Sequence, residues 1–433
     1  MSAFNKPAMP LNRRHALMFL GANAWAMRPA WADAPGSAPG RLVLVFLRGA
    51  YDGISALVPH GDAQYYKLRP SIAIARPDGG ASSALALDNL FGLHPAMAGL
   101  LPLWQQGVLA AIPGAGSPDS TRSHFDAQHH WETGLPGSSA AGAGWMNSLS
   151  KLYGKERSAL GVGEANPQIL AGPQAVQLVA SGQAATRAGA LADTRTREAI
   201  LKMYAANPGL AQSAQAGADS RMQTAAMLTQ AQTEAAMAAP PVAMASSAGS
   251  DSAIQQAANN GAPPAQGLAL DAQNLGTLMG KNRQLRLGFL SAGGWDTHLN
   301  QGNTSGALAN NLGSLSRALL QLRRHFSEPQ DVVVVASEFG RTCAENGTRG
   351  TDHGHGNVMW LMGNAVAGGR WHGQWSGLAA GNLNEGRDLP VHHDFRAVFA
   401  HILAGTQGVA REDTERLFPG YRWDPRLDGL LRA

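Results

Sequence analysis

Carboxylates, imidazoles and glycines crowd one stretch of this chain, residues 331–356, DVVVVASEFGRTCAENGTRGTDHGHG. Ser337-Glu338-Phe339-Gly340-Arg341 brings an acid, a guanidinium and a permissive backbone together, and Thr351-Asp352-His353-Gly354-His355-Gly356 follows one loop later. Oxygen and imidazole groups at this density suit a divalent metal. The same residues also read as a satisfied loop, with Asp352 in an Asx-turn and the histidines at the surface. Comparable groups recur upstream. In Gly293-Gly294-Trp295-Asp296-Thr297-His298 the acid and imidazole stand two apart and project the same way from an extended strand end, as a ligand pair or as a hydrogen-bonded turn. Arg48-Gly49-Ala50-Tyr51-Asp52-Gly53 sets a carboxylate beside glycine, a metal or phosphate position or a plain Asp-Gly turn. Ser123 and Asp126 form a capping pair that places Ser123 at a helix N-terminus. Backbone N–H groups and the helix dipole there hold an anion and ease ionisation of a hydroxyl, although a simple N-cap serine is the commoner case. Arg122, His124, His129 and His130 make that stretch rich in anion-binding groups. His392 and His393 either reach the same cleft or merely precede a helix capped by Asp394.

These groups need a frame. The apolar runs at 41–47 and 331–336 have the continuous pattern of strands buried on both faces of a parallel sheet. Further strands are expected over 107–113 and 284–290, the latter alternating Leu285, Leu287 and Phe289 and carrying Gly288 as a bulge or close approach. Helices are expected over 95–106, 306–326 and 391–403. Parallel strands bring their carboxyl ends to one edge, so Asp52, Asp296, His298, Glu338, Asp352 and His353 can converge there. Carboxylates gathered without opposite charge repel one another; one or two divalent ions, zinc among the candidates, resolve that, with Arg48, Arg122 or Arg341 taking the remaining charge. From about 200 to 268 alanine, glutamine, serine, glycine and proline take over. Thr194 to Ala206 and Met222 to Ala238 are candidate helices, Ala245 to Gln266 reads as a flexible surface insertion, and no catalytic residue is expected there.

The 433 residues suffice for one large α/β domain or two modest ones. Residues 1–32 read as a twin-arginine export signal: Arg13-Arg14, a short apolar stretch, then Ala30-Trp31-Ala32 before the cut. An ordinary secretory signal is the alternative, and either sends the mature chain, 33–433, to the periplasm. The basic balance belongs to that signal, because Lys6, Arg13, Arg14 and Arg28 account for the whole formal charge of +4. Nucleic acid and anionic membranes therefore lose their electrostatic argument as partners. No later run approaches the roughly 18 apolar residues that a membrane span needs. Cys343 is the single cysteine, which excludes an internal disulfide. No C-x-x-C-H, complete G-x-G-x-x-G or G-x-S-x-G occurs, so haem, dinucleotide and serine-hydrolase readings are poor.

LVLVFLRGAYDGISALVP, SHFDAQHHWETG, GWDTH, SEFGRT and TDHGHG, in that order, resemble the exported domain-of-unknown-function family 1501. The resemblance covers nearly the whole chain outside an insertion near 207–268. It implies a single domain of the alkaline-phosphatase/sulfatase-like superfamily, an α/β/α sandwich with a mostly parallel sheet and a metal site. By that resemblance Asp52 matches a first-strand metal ligand, Ser123 the nucleophile at a helix start, with Ser120 and Thr121 as alternatives, and Asp296 with His298 an Asp/His pair. Glu338 then matches a strand-end acid and His353 a late metal histidine. Ser123 lacks the cysteine/serine-x-proline-x-arginine setting of a sulfatase, so no formylglycine is expected. The implied activity is metal-dependent hydrolysis of phosphate or sulfate esters, small or polymeric; the alternative is an exported binding or assembly protein on the same scaffold.

Overall fold

In this computed structural model the described residues are 39–140, 142–154, 158–238 and 253–432. The export segment 1–32 and residues 245–252 of the expected insertion lie outside them. Strand β1 (Leu42–Leu47) is wholly buried and pairs in parallel on both sides, as its unbroken apolar run requires. In chain order there follow β2 (Leu109–Gly116), helices α1 (His124–Thr133) and α2 (Trp145–Leu152), and strands β3 (Ala159–Gly163) and β4 (Gln177–Ala180). Helices α3 (Thr194–Met203), α4 (Pro208–Ala238) and α5 (Leu268–Lys281) lead to β5 (Leu287–Ala292). Then come α6 (Ala307–His325), β6 (Val332–Ala336), β7 (Asn357–Met362), the short strands β8 (Arg370–Trp371) and β9 (His393–Asp394), and α7 (Phe395–Gln407). The sheet runs β8-β2-β7-β6-β1-β5-β3-β4, with β9 also on β2. All pairings are parallel except those of β7, which is antiparallel to both β2 and β6.

Helices cover both faces, and the period of two along β1 shows how. Val43, Val45 and Leu47 join the core that holds Leu275 and Leu278 of α5 and Leu312, Leu315 and Leu319 of α6. Phe46, on the opposite face, meets Trp131 of α1 at 5.5 Å between ring centroids. Trp131 in turn stacks on Phe395 of α7 at 3.8 Å. This is an α/β fold of three layers around a large, mostly parallel sheet. A second sheet of three short antiparallel strands, Leu57–Val58, Gly92–Leu93 and Leu85–Ala86, flanks it. Ala38–Ala433 forms one compact unit.

In the alanine-rich region the helices expected over 194–206 and 222–238 are present, the first as α3 and the second within the 31-residue helix Pro208–Ala238, while Ala253–Asn259, inside the insertion expected to be flexible, is helical as well. Alanine and glutamine are strong helix formers, which outweighs the low-complexity signature. Among the described residues no helix is long and apolar enough to cross a membrane.

Register explains why distant segments meet. Leu47 pairs with Ala292 and Phe46 with Ala336, so β1, β5 and β6 end on the same rim and release Arg48, Gly293 and Ser337 there. β2 has the same direction, since both it and β6 oppose β7, and it delivers α1 to that rim. β7 begins where the others end, which returns the Thr351–Gly356 loop to the same edge. Gly49 makes the tight exit from β1: its φ is +112°, and a Cβ there would lie 2.7 Å from the Asp296 nitrogen.

Cys343 is fully buried against Val58, Tyr65 and Leu389. Burial, with the Arg69 guanidinium pulling the other way, pushes its thiol up to about 12. The native protein is expected to leave this thiol unmodified by an aromatic disulfide reagent at pH 8, releasing one equivalent only after denaturation; stoichiometric reaction of the folded chain would contradict the packing.

Candidate metal centre

Three imidazoles and one carboxylate converge at the rim. His353 Nε2 lies 3.0 Å from His124 Nε2 and 3.0 Å from His298 Nε2. Asp296 Oδ1 is 3.0, 3.3 and 3.6 Å from the Nε2 atoms of His298, His353 and His124. His124 comes from the first turn of α1, Asp296 and His298 from the loop after β5, and His353 from the loop before β7. Ligand atoms of His124, Asp296 and His353 all fall within 4.8 Å of one another.

The outer nitrogens decide what the inner ones offer. His124 Nδ1 faces Glu338 Oε1 at 2.7 Å, His298 Nδ1 faces Asp352 Oδ1 at 2.9 Å, and His353 Nδ1 faces the Arg122 carbonyl at 2.8 Å. Each partner is an acceptor only, so each Nδ1 carries the proton and a neutral ring turns an Nε2 lone pair inward. Arg341 Nη1 lies 3.4 Å from His298 Nε2 and Arg341 also pairs with Asp296 Oδ1, but among the described residues no donor from outside the cluster reaches Nε2 of His124 or His353, so those lone pairs repel unless a cation or an extra proton sits between. The cation-free electrostatics point the same way. Burial opposes charge on His124, but Asp296 and Glu338 outweigh it and raise its pKa to about 9. Burial likewise opposes charge on Asp296, yet the three histidines and Arg341 hold its carboxyl far below the usual range. Imidazole nitrogens backed by carboxylates or a carbonyl are a common transition-metal arrangement, so the residues fit a divalent ion, zinc included. The site is open on one side, with His298 34% and His353 25% exposed at their side chains.

The expected residues divide sharply. Asp296, His298 and His353 meet. Glu338 and Asp352 do not point inward as ligands but orient ligands from behind, and the reason is their competing donors. Glu338 Oε1 also accepts from Gly49 N at 2.7 Å and Gln128 Nε2 at 3.0 Å, and Ser337 Oγ donates to its other oxygen at 2.8 Å. Burial opposes its charge, but His124 prevails and keeps its pKa at about 2. Asp52 lies outside the cluster. Arg69 donates to both its oxygens at 2.6 and 3.0 Å, and Ser55 and Gln301 add bonds at 2.7 and 2.8 Å, so its acceptor capacity is spent.

Arg341 is no open anion clamp. It is fully buried, donates to the carbonyls of Gly49, Ala50, Trp295 and Thr351, and pairs with Asp296 Oδ1, which ties three rim loops together. Arg48 is equally committed, to Glu132 at 2.8 Å and Glu164 at 2.9 Å. Arg122 pairs with Glu385 at 2.8 Å and Asp388 at 3.5 Å. Ser123 caps α1, its hydroxyl accepting from Asp126 N at 3.4 Å, one residue from His124. His129, His130, His392 and His393 contact Ala140, Asp119, Ser376 and Asp424 instead. Asp394 caps α7.

His124 is the member of this cluster that the sequence reading assigned only to general anion binding. The available signal was its spacing: His124, Gln128 and Glu132 recur every four residues along one face of α1, and that face is buried toward the rim.

Two substitutions separate the roles. Asp52→Ala leaves Arg69 buried and unpaired and is expected to cost about 3–5 kcal/mol in urea unfolding while metal content stays unchanged. Burial opposes the Asp52 charge, but Arg69 outweighs it and holds the carboxyl below its usual range. A lowered folded pKa gives stabilisation that is complete above the unfolded value of about 3.9 and is lost as pH falls through the folded one. The acid limb of the wild-type stability curve is therefore expected to be steeper than that of the variant. Glu338→Gln removes the carboxylate behind His124, and metal affinity is expected to fall about 10- to 100-fold by competition with a chelator.

Among solved structures the chain is similar to the alkaline phosphatase of the Antarctic bacterium TAB5, with 9% identity over 77% of this chain and 95% of that one and a TM-score of 0.33. A mutant of that enzyme with Mg bound in its M3 site gives 10% identity, coverage of 75% and 90%, and a TM-score of 0.32. No residue role follows from so loose a likeness. No curated protein matches this chain in sequence. The profile described as Protein of unknown function (DUF1501) matches residues 108–417, well over half of the chain, and the protein belongs to that family.

Proposed function

We propose that this protein is an exported, metal-dependent hydrolase of anionic esters, phosphate or sulfate, working in the periplasm after removal of residues 1–32. The observation that carries the reading is the set of three inward Nε2 lone pairs and Asp296 Oδ1 on an open rim. His124, His298, His353 and Asp296 would hold one ion rather than two, since Glu338, Asp352 and Asp52 are spent on other partners. A divalent ion supplies Lewis-acid chemistry toward an ester oxygen when bound at such a site. The chain's own residues do the rest. Glu338, Asp352 and the Arg122 carbonyl fix the tautomer and angle of each ring. Arg341 offsets the charge of Asp296 and locks the loops that carry the ligands. Ser123, at the start of α1, is the proposed nucleophile, placed where the helix dipole favours a developing negative charge.

A non-catalytic metal-holding protein on the same scaffold is the second reading. It is favoured by the saturation of Arg48 and Arg341, neither of which offers a free donor to a substrate.

Purified protein is expected to carry one equivalent of a transition metal by elemental analysis, lost in His353→Ala. The metal-replete form is expected to turn over members of a broad phosphate and sulfate ester panel, with Ser123→Ala reducing kcat at least about 100-fold. Stoichiometric metal with no turnover would select the second reading, and absence of metal after reconstitution would remove both.

A further inference from the structure

Two arginines and a buried carboxylate lie beside the His/Asp cluster, at the other end of His353. Asp388, fully buried, stands between two guanidiniums: Arg122 Nη2 donates to its Oδ1 at 3.5 Å, and Arg387 Nε makes an ion pair with the same oxygen at 3.5 Å. Both arginines are also fastened to His353. Arg387 Nη2 donates to the His353 carbonyl at 2.9 Å, and the Arg122 carbonyl accepts from His353 Nδ1 at 2.8 Å. The pair therefore sits at the main-chain end of the residue whose ring tip faces the metal ligands.

The donors of this pair are incompletely used. Arg122 Nε is buried with no hydrogen-bond partner, a cost that a bound acceptor would relieve. Arg387 is about half exposed, and among the described residues its Nη1 has no partner. Among the same residues one exposed acid competes from the solvent side. Glu385, on the turn Asn384–Asp388, reaches Arg122 Nη2 at 2.8 Å with 58% of its side chain exposed. That turn is anchored, because Cys343 N donates to the Arg387 carbonyl at 2.9 Å and Asn384 N to the Asp388 carbonyl at 2.8 Å. The Glu385 backbone has a φ of +52°, the left-handed region that a non-glycine residue rarely adopts, and from there the carboxylate meets Arg122. An exposed ion pair is weak, so an anion of higher charge can displace it.

We propose that Arg122 and Arg387 form a second anion subsite, occupied in the free protein by the Glu385 carboxylate, and that the substrate carries another anionic group about one histidine side chain from the reacting one. This rests on the hydrolase reading and narrows its substrate class to di- and polyanionic esters. Arg122 thereby regains a role in anion recognition, although in the free protein it is paired, and Arg387 joins it. Neither touches the reacting atoms, and the effect belongs in binding.

Calorimetric binding of inorganic pyrophosphate, a compact dianion or higher, to metal-replete protein tests the subsite without requiring turnover. Glu385→Gln is expected to tighten binding about two- to fivefold, since it removes an exposed competitor. Arg387→Ala is expected to weaken it about tenfold, with metal content unchanged in both variants. Inorganic phosphate, which has no second group to place, is expected to respond by less than half as much on a logarithmic scale. Where turnover is measurable, the same variants shift KM for a bisphosphate ester and leave kcat in place. Wild-type affinity for pyrophosphate in both variants, or no binding by the metal-replete wild type, overturns the subsite. Failure of turnover with these affinity shifts intact overturns only the hydrolase reading.

Discussion

The register of β1 between two parallel neighbours is the constraint on which the rest of this protein depends. Because Leu47 stands level with Ala292, and Phe46 with Ala336, three loops that begin at Arg48, Gly293 and Ser337 leave the sheet at one height. A slip of one residue would turn Val43, Val45 and Leu47 from the face packed by α5 and α6 to the face packed by α1. It would also move Asp296 relative to Gly49, where backbone already approaches backbone too closely for any side chain. Hydrophobic burial on both faces thus sets the positions of polar groups that contribute little to burial themselves.

Charge is distributed in the same economical way. Every acid near the rim has a donor in place: Asp52 has Arg69, Glu132 and Glu164 share Arg48, and Asp296 has Arg341. Burying a carboxylate costs several kcal/mol unless it is paired and hydrogen-bonded, so these pairings are conditions for folding before they are features of a site. What they leave over is a set of imidazoles whose outer nitrogens are satisfied, while the inner nitrogens of His124 and His353 meet only one another, His298 and Asp296. The pairs around Arg122, Glu385 and Arg387 are more exposed than the buried ones.

Much of this was legible in residue patterns. Four consecutive valines ending at Ser337-Glu338, the Leu42–Leu47 run, and the Asp-x-His and Asp-His pairs place strands and ligands with no knowledge of pairing. Asp296, His298 and His353 were visible because an acid and an imidazole at a strand end are an unusual juxtaposition. His124 was harder, since it sits in a run of several histidines and only the four-residue spacing to Gln128 and Glu132 distinguishes it from His129 and His130. In the alanine-rich segment the helix expected over 222–238 is present but begins at Pro208, and Ala253–Asn259, inside the expected insertion, is helical too, because composition alone does not set helix boundaries.

The amino-acid sequence by itself determined the layered α/β architecture, the rim where chemistry collects and most of the groups gathered there, because hydrophobic period and strand-end position are local properties. Only the tertiary structure decided which carboxylates face inward and which stand behind a histidine. Glu338, Asp352 and Asp52 look alike as acids near strand ends, yet the first two orient His124 and His298 and the third is held by Arg69. That assignment depends on which donors arrive from segments far away in the chain, a matter of three-dimensional competition for lone pairs that no local pattern encodes.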